Sequence, residues 1–352
     1  MDTITIESPF DAHVHFREGE RMRSVVQYTA QQCAYATVMP NTSQFILTTD
    51  DAKRYRDEIL AAVPTGISFE PLMTLYLTPQ LSPEEIRQAK ASGIVHGIKL
   101  YPKGGTTGSH GGVEKLPDVQ EQLKVMEEVG MKLLMHGETA DQDIDVFERE
   151  AHYYNEAFDW LITTFPKLQI VCEHITTKRA VERVRTAPAQ LRIAATITPQ
   201  HLLVNRNDML GRGGIRPHMY CMPILKSAVD QASLVMAATS GNPRFFMGTD
   251  SAPHAQHGKS GKAKETSCGC AGCFTAHAAL ELYAQAFESD SALKQLPDFV
   301  GRFGREFYEL ETTGKVVTLE RYQWHAQETF TFGDAQVVPF RQDVPLSWKM
   351  VA

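Results

Sequence analysis

The chain has 352 residues, 43% of them hydrophobic and 22% charged, with a formal net charge of −7, which is ordinary globular composition with material for a sizeable core. No block of Lys and Arg stands ready to meet a phosphate backbone, so nucleic acid is not an expected partner. There is no run of about 18 apolar residues and no basic or apolar leader in the first ten residues, so neither a membrane span nor a secretory signal is expected.

The first predicted element is the strand "FDAHVHF" (10–16), whose His13 and His15 are one residue apart and therefore share a face. Apolar or β-branched runs recur at 33–40, 67–77, 93–101, 131–138, 168–174, 191–198 and 244–250, giving eight strands. Helical patterns lie between them. One runs from Thr49 to 63. Another spans 82–93, with Ser82 as N-cap, Pro83 at the first helical position and Glu85 closing a capping box. Others cover 117–130, ending on Gly130, then 176–185 and 227–241. Strands alternating with helices predict a parallel sheet with right-handed crossovers. Eight such units, without a G-x-G-x-x-G turn after the first strand, predict an α/β fold closed as a (β/α)8 TIM barrel. The expected organisation is one domain over 1–352. The last forty residues, from about 311, form a small peripheral extension of a helix and extended pieces. The Gly-rich segments 103–112 and 211–214 match no phosphate-loop spacing, and the first reads as a mobile loop.

In such a barrel the chemistry sits at the C-terminal ends of the strands. Five strand ends there carry His13, His15, Lys99, His136, His174 and Asp250. Singly each has an ordinary reading: a hydrogen-bonded structural histidine (as for His96, His152 and His325), a surface lysine, a helix-capping aspartate. Together, at one topological position, they predict a metal site. Imidazoles with a carboxylate suit Zn²⁺ better than Mg²⁺ or Ca²⁺. Five ligands are too many for one catalytic zinc with an open position and suit two ions sharing a bridge. An ammonium at Lys99 would be repelled, but a desolvated lysine near cations has a lowered pKa. As a neutral amine it can add CO₂, giving a carbamate whose two oxygens span the pair. With Asp250 and a bridging hydroxide the site keeps about one positive charge, suited to an anionic substrate with a carbonyl to polarise.

This pattern resembles the amidohydrolase superfamily. "MPN" (39–41), "KLYPKGGTTGSHGG", "MHGE", "EHITTK", "TITPQHL", "RPHMYCMPILK", "GTDSAPH" and "SCGCAGCF" are similar to the bacterial class II dihydroorotases, from about residue 8 to about 310. The resemblance implies two Zn²⁺ per subunit, one held by His13, His15 and Asp250 and one by His136 and His174. N6-carboxylated Lys99 and a hydroxide would bridge them. It implies reversible cyclisation of N-carbamoyl-L-aspartate to L-dihydroorotate in de novo UMP synthesis, with Asp250 as general acid/base. Arg17, Asn41 and His254 would take the substrate carboxylate, Arg17 through its bidentate fork. Met222 and Ala271 would lend backbone groups, Thr106 and Thr107 would close as a lid, and the protein would be a cytoplasmic homodimer.

The segment 255–268 is longer than that family's usual link. Six cysteines are too few for a disulfide scaffold and are expected as reduced thiols. Cys268, Cys270 and Cys273, with His277, could form a third metal or redox site, whereas the resemblance makes them a turn beside the substrate. A hydantoinase or allantoinase would share the metal ligands, but Arg17, Asn41 and the threonines favour a substrate with a free carboxylate. A non-catalytic scaffold barrel would have lost ligands that are present here.

Overall fold

The computed structural model describes residues 2–106, 108–211, 213–257 and 270–351. After β1 (Thr3–Glu7), the eight expected strands all form: β2 (Phe10–Val14), β3 (Tyr35–Val38), β4 (Glu70–Tyr76), β5 (Val95–Leu100), β6 (Lys132–His136), β7 (Ile170–Glu173), β8 (Ile193–Ile197) and β9 (Phe245–Met247). They make one eight-stranded sheet in sequential order, every neighbour parallel. A bridge from Val14 to Ser251 brings the last strand back to the first. Asp250 N–H donates to His13 O at 2.9 Å and His15 N–H to Ser251 O at 3.0 Å. Barrel strands covered on both faces read as continuous apolar runs, which is why they were legible.

Inside the barrel, Phe10, Ala12, Leu72, Leu134, Val171, Ala194 and Phe246 pack together. Gly97 makes room for this layer, since a Cβ there would meet Leu134 at 2.8 Å. Strict alternation from Phe10 and Ala12 would turn His13 and His15 outward. The β2–β3 register shifts between Asp11 and Val14, and such a bulge re-aims side chains. Val14 joins the outer core instead, so both histidines face the barrel axis.

The expected helices form with small corrections. The helix Thr49–Ala62 is capped by Thr48 in a box with Asp51. Ser82 caps Pro83–Ser92, but Glu85 does not reach back to it. Glu85 Oε1 instead accepts from the N–H and hydroxyl of Thr49 at 2.7 and 2.6 Å, because the positive N-terminus of the neighbouring helix lies within reach. From residue 316 on the chain forms strands, where a helix followed by extended pieces was expected. β10 (Val316–Trp324) pairs antiparallel with β1 and with the last strand. β11 (Phe330–Phe332) and β12 (Ala335–Val337) form a hairpin, and β13 (Leu346–Met350) closes the three-stranded sheet. Cys33, Cys172, Cys221 and Cys273 are buried and carry thiols rather than disulfides. Cys270 is disulfide-bonded, against the expectation of reduced thiols.

β13 covers Glu281 of the helix Ala279–Ser289. Glu281 Oε1 accepts the Met350 N–H at 3.1 Å, while Oε2 is buried without a hydrogen bond. Burial pushes this carboxyl up from 4.5 to about 7. The folded chain therefore holds a proton that the unfolded chain has released, and stability falls as pH rises through that window. Glu281→Gln is expected to stabilise the fold at pH 8 by on the order of 1–3 kcal/mol and to change little near pH 4. Urea unfolding at both pH values measures this; equal midpoints at pH 8 would show the carboxyl to be solvated.

Candidate metal centre and substrate cleft

The predicted ligands meet at the mouth of the barrel. One ligand atom each from His13, His15 and Asp250 lies within 4.8 Å of the others. The two Nε2 atoms stand 3.3 Å apart, and Asp250 Oδ1 is 3.1 Å from that of His15 and 3.5 Å from that of His13. The imidazole of His174 follows, its ring centroid 4.9 Å from that of His13 and 4.7 Å from that of His136. Arg17, His174 and Asp250 adopt positive φ of 67°, 41° and 44°. Side chains rarely take such angles without a constraint, and they cluster at functional sites. Here the kinks turn the ends of β2, β7 and β9 into the mouth.

Burial, with the nearby Lys99 charge as the next cause, holds His13 and His174 well below 6.5; burial likewise lowers His15. These are neutral imidazoles, the form that ligates. For Asp250 burial alone would raise the carboxyl. The hydrogen bond from His15 and the charges of His13, His15 and Lys99 outweigh it and hold the group below the usual carboxylate range. Lys99 is fully buried, and its Nζ has no hydrogen-bond partner, standing 5.0 Å over the Tyr101 ring. Burial pushes its ammonium down to about 8, although Glu173 and Asp250 pull the other way. An orphaned, readily deprotonated amine beneath a group of neutral imidazoles and a carboxylate fits a carbamate-bridged metal pair.

Several groups that the sequence reading missed hold these ligands. His13 Nδ1 meets Glu173 Oε2 at 2.9 Å, and Thr196 Oγ1 donates to the same oxygen at 2.7 Å. Burial raises Glu173 to about 7. His136 Nε2 meets Glu138 Oε2 at 2.7 Å. Asp11 accepts from the Thr249 N–H and hydroxyl at 2.8 and 2.6 Å and from the His13 N–H at 3.2 Å, tying β2 to the chain just before Asp250. The available signal was an acidic residue one or two positions from a strand-end histidine, in "EHI" and "MHGE".

A cleft opens over the ligands. Arg17, Asn41, Thr106, Met222 and Ala271 line it with Tyr101. Arg17 is oriented by Nε–H donating to Pro253 O at 3.0 Å and has Nη2 3.0 Å from His254 Nε2. His254 Nε2 is also 2.9 Å from the O of Ala271, which lines the cleft. Asn41 Oδ1 meets His15 Nδ1 at 2.8 Å, which turns its amide –NH₂ away from the histidine. Thr106 N–H donates to Ser109 Oγ at 2.9 Å, and Tyr76 O–H donates to Gly108 O at 3.2 Å, so this part of the Gly-rich loop is seated against β4. Thr107 lies outside the described residues, as does 258–269 with Cys268 and most of the longer segment. Cys273 Sγ contacts His218 O at 3.4 Å and His277 Nδ1 faces Phe274 O at 3.1 Å.

No family model matches the chain. A curated dihydroorotase from Ralstonia nicotianae is 50% identical over 351 residues, which is 100% of both chains. The crystal structure of dihydroorotase from Saccharomyces cerevisiae in complex with 5-fluoroorotic acid superposes with a TM-score of 0.91 at 31% identity, over 100% of this chain and 99% of that one. An L-hydantoinase from Arthrobacter aurescens shares the fold with a TM-score of 0.78 at 14% identity, over 98% of this chain and 82% of that one.

Proposed function

The chain belongs to the dihydroorotases of the amidohydrolase superfamily, and from that premise we propose how its own residues interconvert N-carbamoyl-L-aspartate and L-dihydroorotate. His13, His15 and Asp250 would hold one Zn²⁺, His136 and His174 a second, with carboxylated Lys99 between them. When bound, the ions supply Lewis acidity that polarises the amide carbonyl and lowers the pKa of the attacking water. Asp250 carries the proton. In hydrolysis its carboxylate takes the proton from water as the ring amide opens, then delivers it to the departing nitrogen. In the biosynthetic direction it receives a ureido N–H proton as that nitrogen closes on the side-chain carboxyl and returns it to the departing oxygen, which takes a second proton from solvent and leaves as water.

Arg17 is the carboxylate clamp. Its Nε is spent on Pro253 O, so the guanidinium is fixed before substrate arrives and loses little freedom on binding. Asn41 donates its –NH₂ to the same anion while its oxygen keeps His15 in place. Met222 and Ala271 offer backbone groups to the ring, and Thr106, with Thr107, closes the cleft against water. The reading includes a cytoplasmic homodimer with two Zn²⁺ per subunit, for which the family is the support.

The observation that carries the proposal is Arg17 lining the same cleft as the ligand histidines and Asp250. A hydantoinase acting on an uncharged ring has no need of that cation beside the metals. Metal-loaded protein should consume L-dihydroorotate, read as loss of ring absorbance, and form it from N-carbamoyl-L-aspartate. Turnover of a hydantoin with none of dihydroorotate would overturn the assignment.

A further inference from the structure

His136 differs from the two histidines of β2 in the ring nitrogen that is already taken. His13 and His15 are held at Nδ1, by Glu173 and Asn41, and turn Nε2 toward each other. His136 is held at Nε2 by Glu138, which leaves Nδ1 for the cleft. A neutral imidazole has one donor and one acceptor nitrogen, so the nitrogen that gives its proton to a carboxylate decides which lone pair can meet an ion.

Glu138 reaches His136 through a tight turn. A Cβ at Gly137 would lie 2.9 Å from the Tyr154 ring, so the chain passes flat over that ring, and Glu138 N–H donates to His136 O at 3.0 Å. The glutamate is 2% exposed, and its Oε1 is buried without a hydrogen bond. The countercharge is Lys226, itself buried, whose Nζ stands 3.8 Å from that oxygen. Lys226 Nζ also donates to Ile224 O at 3.1 Å. It therefore belongs to the short segment that begins with Met222 on the cleft wall. His201 pins that segment from another side, its Nε2 3.0 Å from Pro223 O.

A buried ion pair at this separation, with one oxygen left without a hydrogen bond, is a poor source of stability, and an apolar pair of the same volume often does as well. We propose that Glu138 and Lys226 are positioning residues. Glu138 fixes His136 with Nδ1 toward the ions, and Lys226 holds Glu138 in place and links it to the Met222 segment. Neither touches substrate. The proposal rests on the metal-hydrolase reading of the cleft and concerns the ion held by His136 and His174, not the one held by His13, His15 and Asp250.

Zinc affinity, measured by chelator competition on the full chain, tests it. Glu138→Ala should weaken one of two zinc sites by about 100-fold, and Glu138→Gln, whose amide oxygen can still accept the Nε2 proton, by about 10-fold. The other site should be unchanged, so both variants retain one zinc where wild type retains two. The double variant Glu138→Gln with Lys226→Met removes both charges of this pair together and carries the test if Glu138→Ala fails to fold; it should also lose about 10-fold at one site. Wild-type affinity at both sites in any of these variants would overturn the proposal. So would equal losses at both sites that track a lowered unfolding temperature of the metal-free protein. Wild type is assayed on dihydroorotate in parallel: no turnover there, with the zinc losses in the stated order, would sink the dihydroorotase reading and leave this one standing.

Discussion

Asp250→Asn lowers turnover of dihydroorotate by about 10²–10⁴-fold, the span of a lost general acid/base, and leaves the fold intact. The fold survives because the barrel closes through the Asp250 backbone, whose N–H donates to His13 O, and asparagine keeps both that N–H and the side-chain volume. The chemistry does not survive, because an amide cannot take a proton from water or return one to the ring nitrogen. Its –NH₂, if turned toward His15 and His13, would also oppose their Nε2 lone pairs and weaken the ion they hold. The wild-type carboxyl is kept ionised by its histidine neighbours despite its burial, so at neutral pH it stands ready as a base. KM should move less than kcat, since in the proposed pose Arg17 and Asn41 bind the carboxylate independently of Asp250. Steady-state kinetics, zinc content and the unfolding temperature measured together make the test. A kcat within tenfold of wild type in folded protein would remove Asp250 as the proton carrier.

The barrel was legible because each of its strands is apolar on both faces, so the runs at 10–16 or 131–138 stand out without any knowledge of their neighbours. The candidate ligands stood out for the complementary reason: a histidine, lysine or aspartate ending such a run is out of place on packing grounds. The bulge between Asp11 and Val14 was not legible, although it decides that His13 and His15 face inward. The supporting groups were hidden because their partners are set by tertiary contact. Glu173 lies 160 residues from the His13 it orients, and Glu85 matched a local capping pattern yet bonds Thr49 of another helix. Likewise "TITIE" has strand alternation, but nothing near it in sequence announces β10 as its partner more than 300 residues on. His254 was grouped with Arg17 by resemblance, and the structure sets its Nε2 3.0 Å from the guanidinium Nη2.

Lys99→Met is expected to stabilise the metal-free fold while abolishing turnover, a pair of effects that a structural lysine would not give. The side chain is fully buried and its Nζ has no hydrogen bond, so the folded state carries a charge that burial disfavours. Its ammonium gives up its proton at about 8 in the fold, against 10.5 for an ordinary lysine. Below about pH 8 the penalty is therefore fully present, and it fades as pH rises toward 10.5, where the unfolded chain also releases the proton. That difference is worth on the order of 3 kcal/mol at pH 7. Methionine fills a similar space without the charge, so after chelation the variant should be more stable at pH 7 by roughly 1–3 kcal/mol, with the gap closing by pH 10. Turnover should fall by at least about 10³-fold, equivalent to about 4 kcal/mol of lost transition-state stabilisation. In the proposed centre, loss of the carbamate would leave two cations with no anion between them, and the second should bind poorly. Urea unfolding of chelated protein at pH 7 and pH 10, zinc content and kcat are the readouts. A variant less stable than wild type at pH 7, or one that still turns over, would return Lys99 to the packing of the barrel. Natural retention of a group that weakens the fold is explained only by what it does in the loaded site.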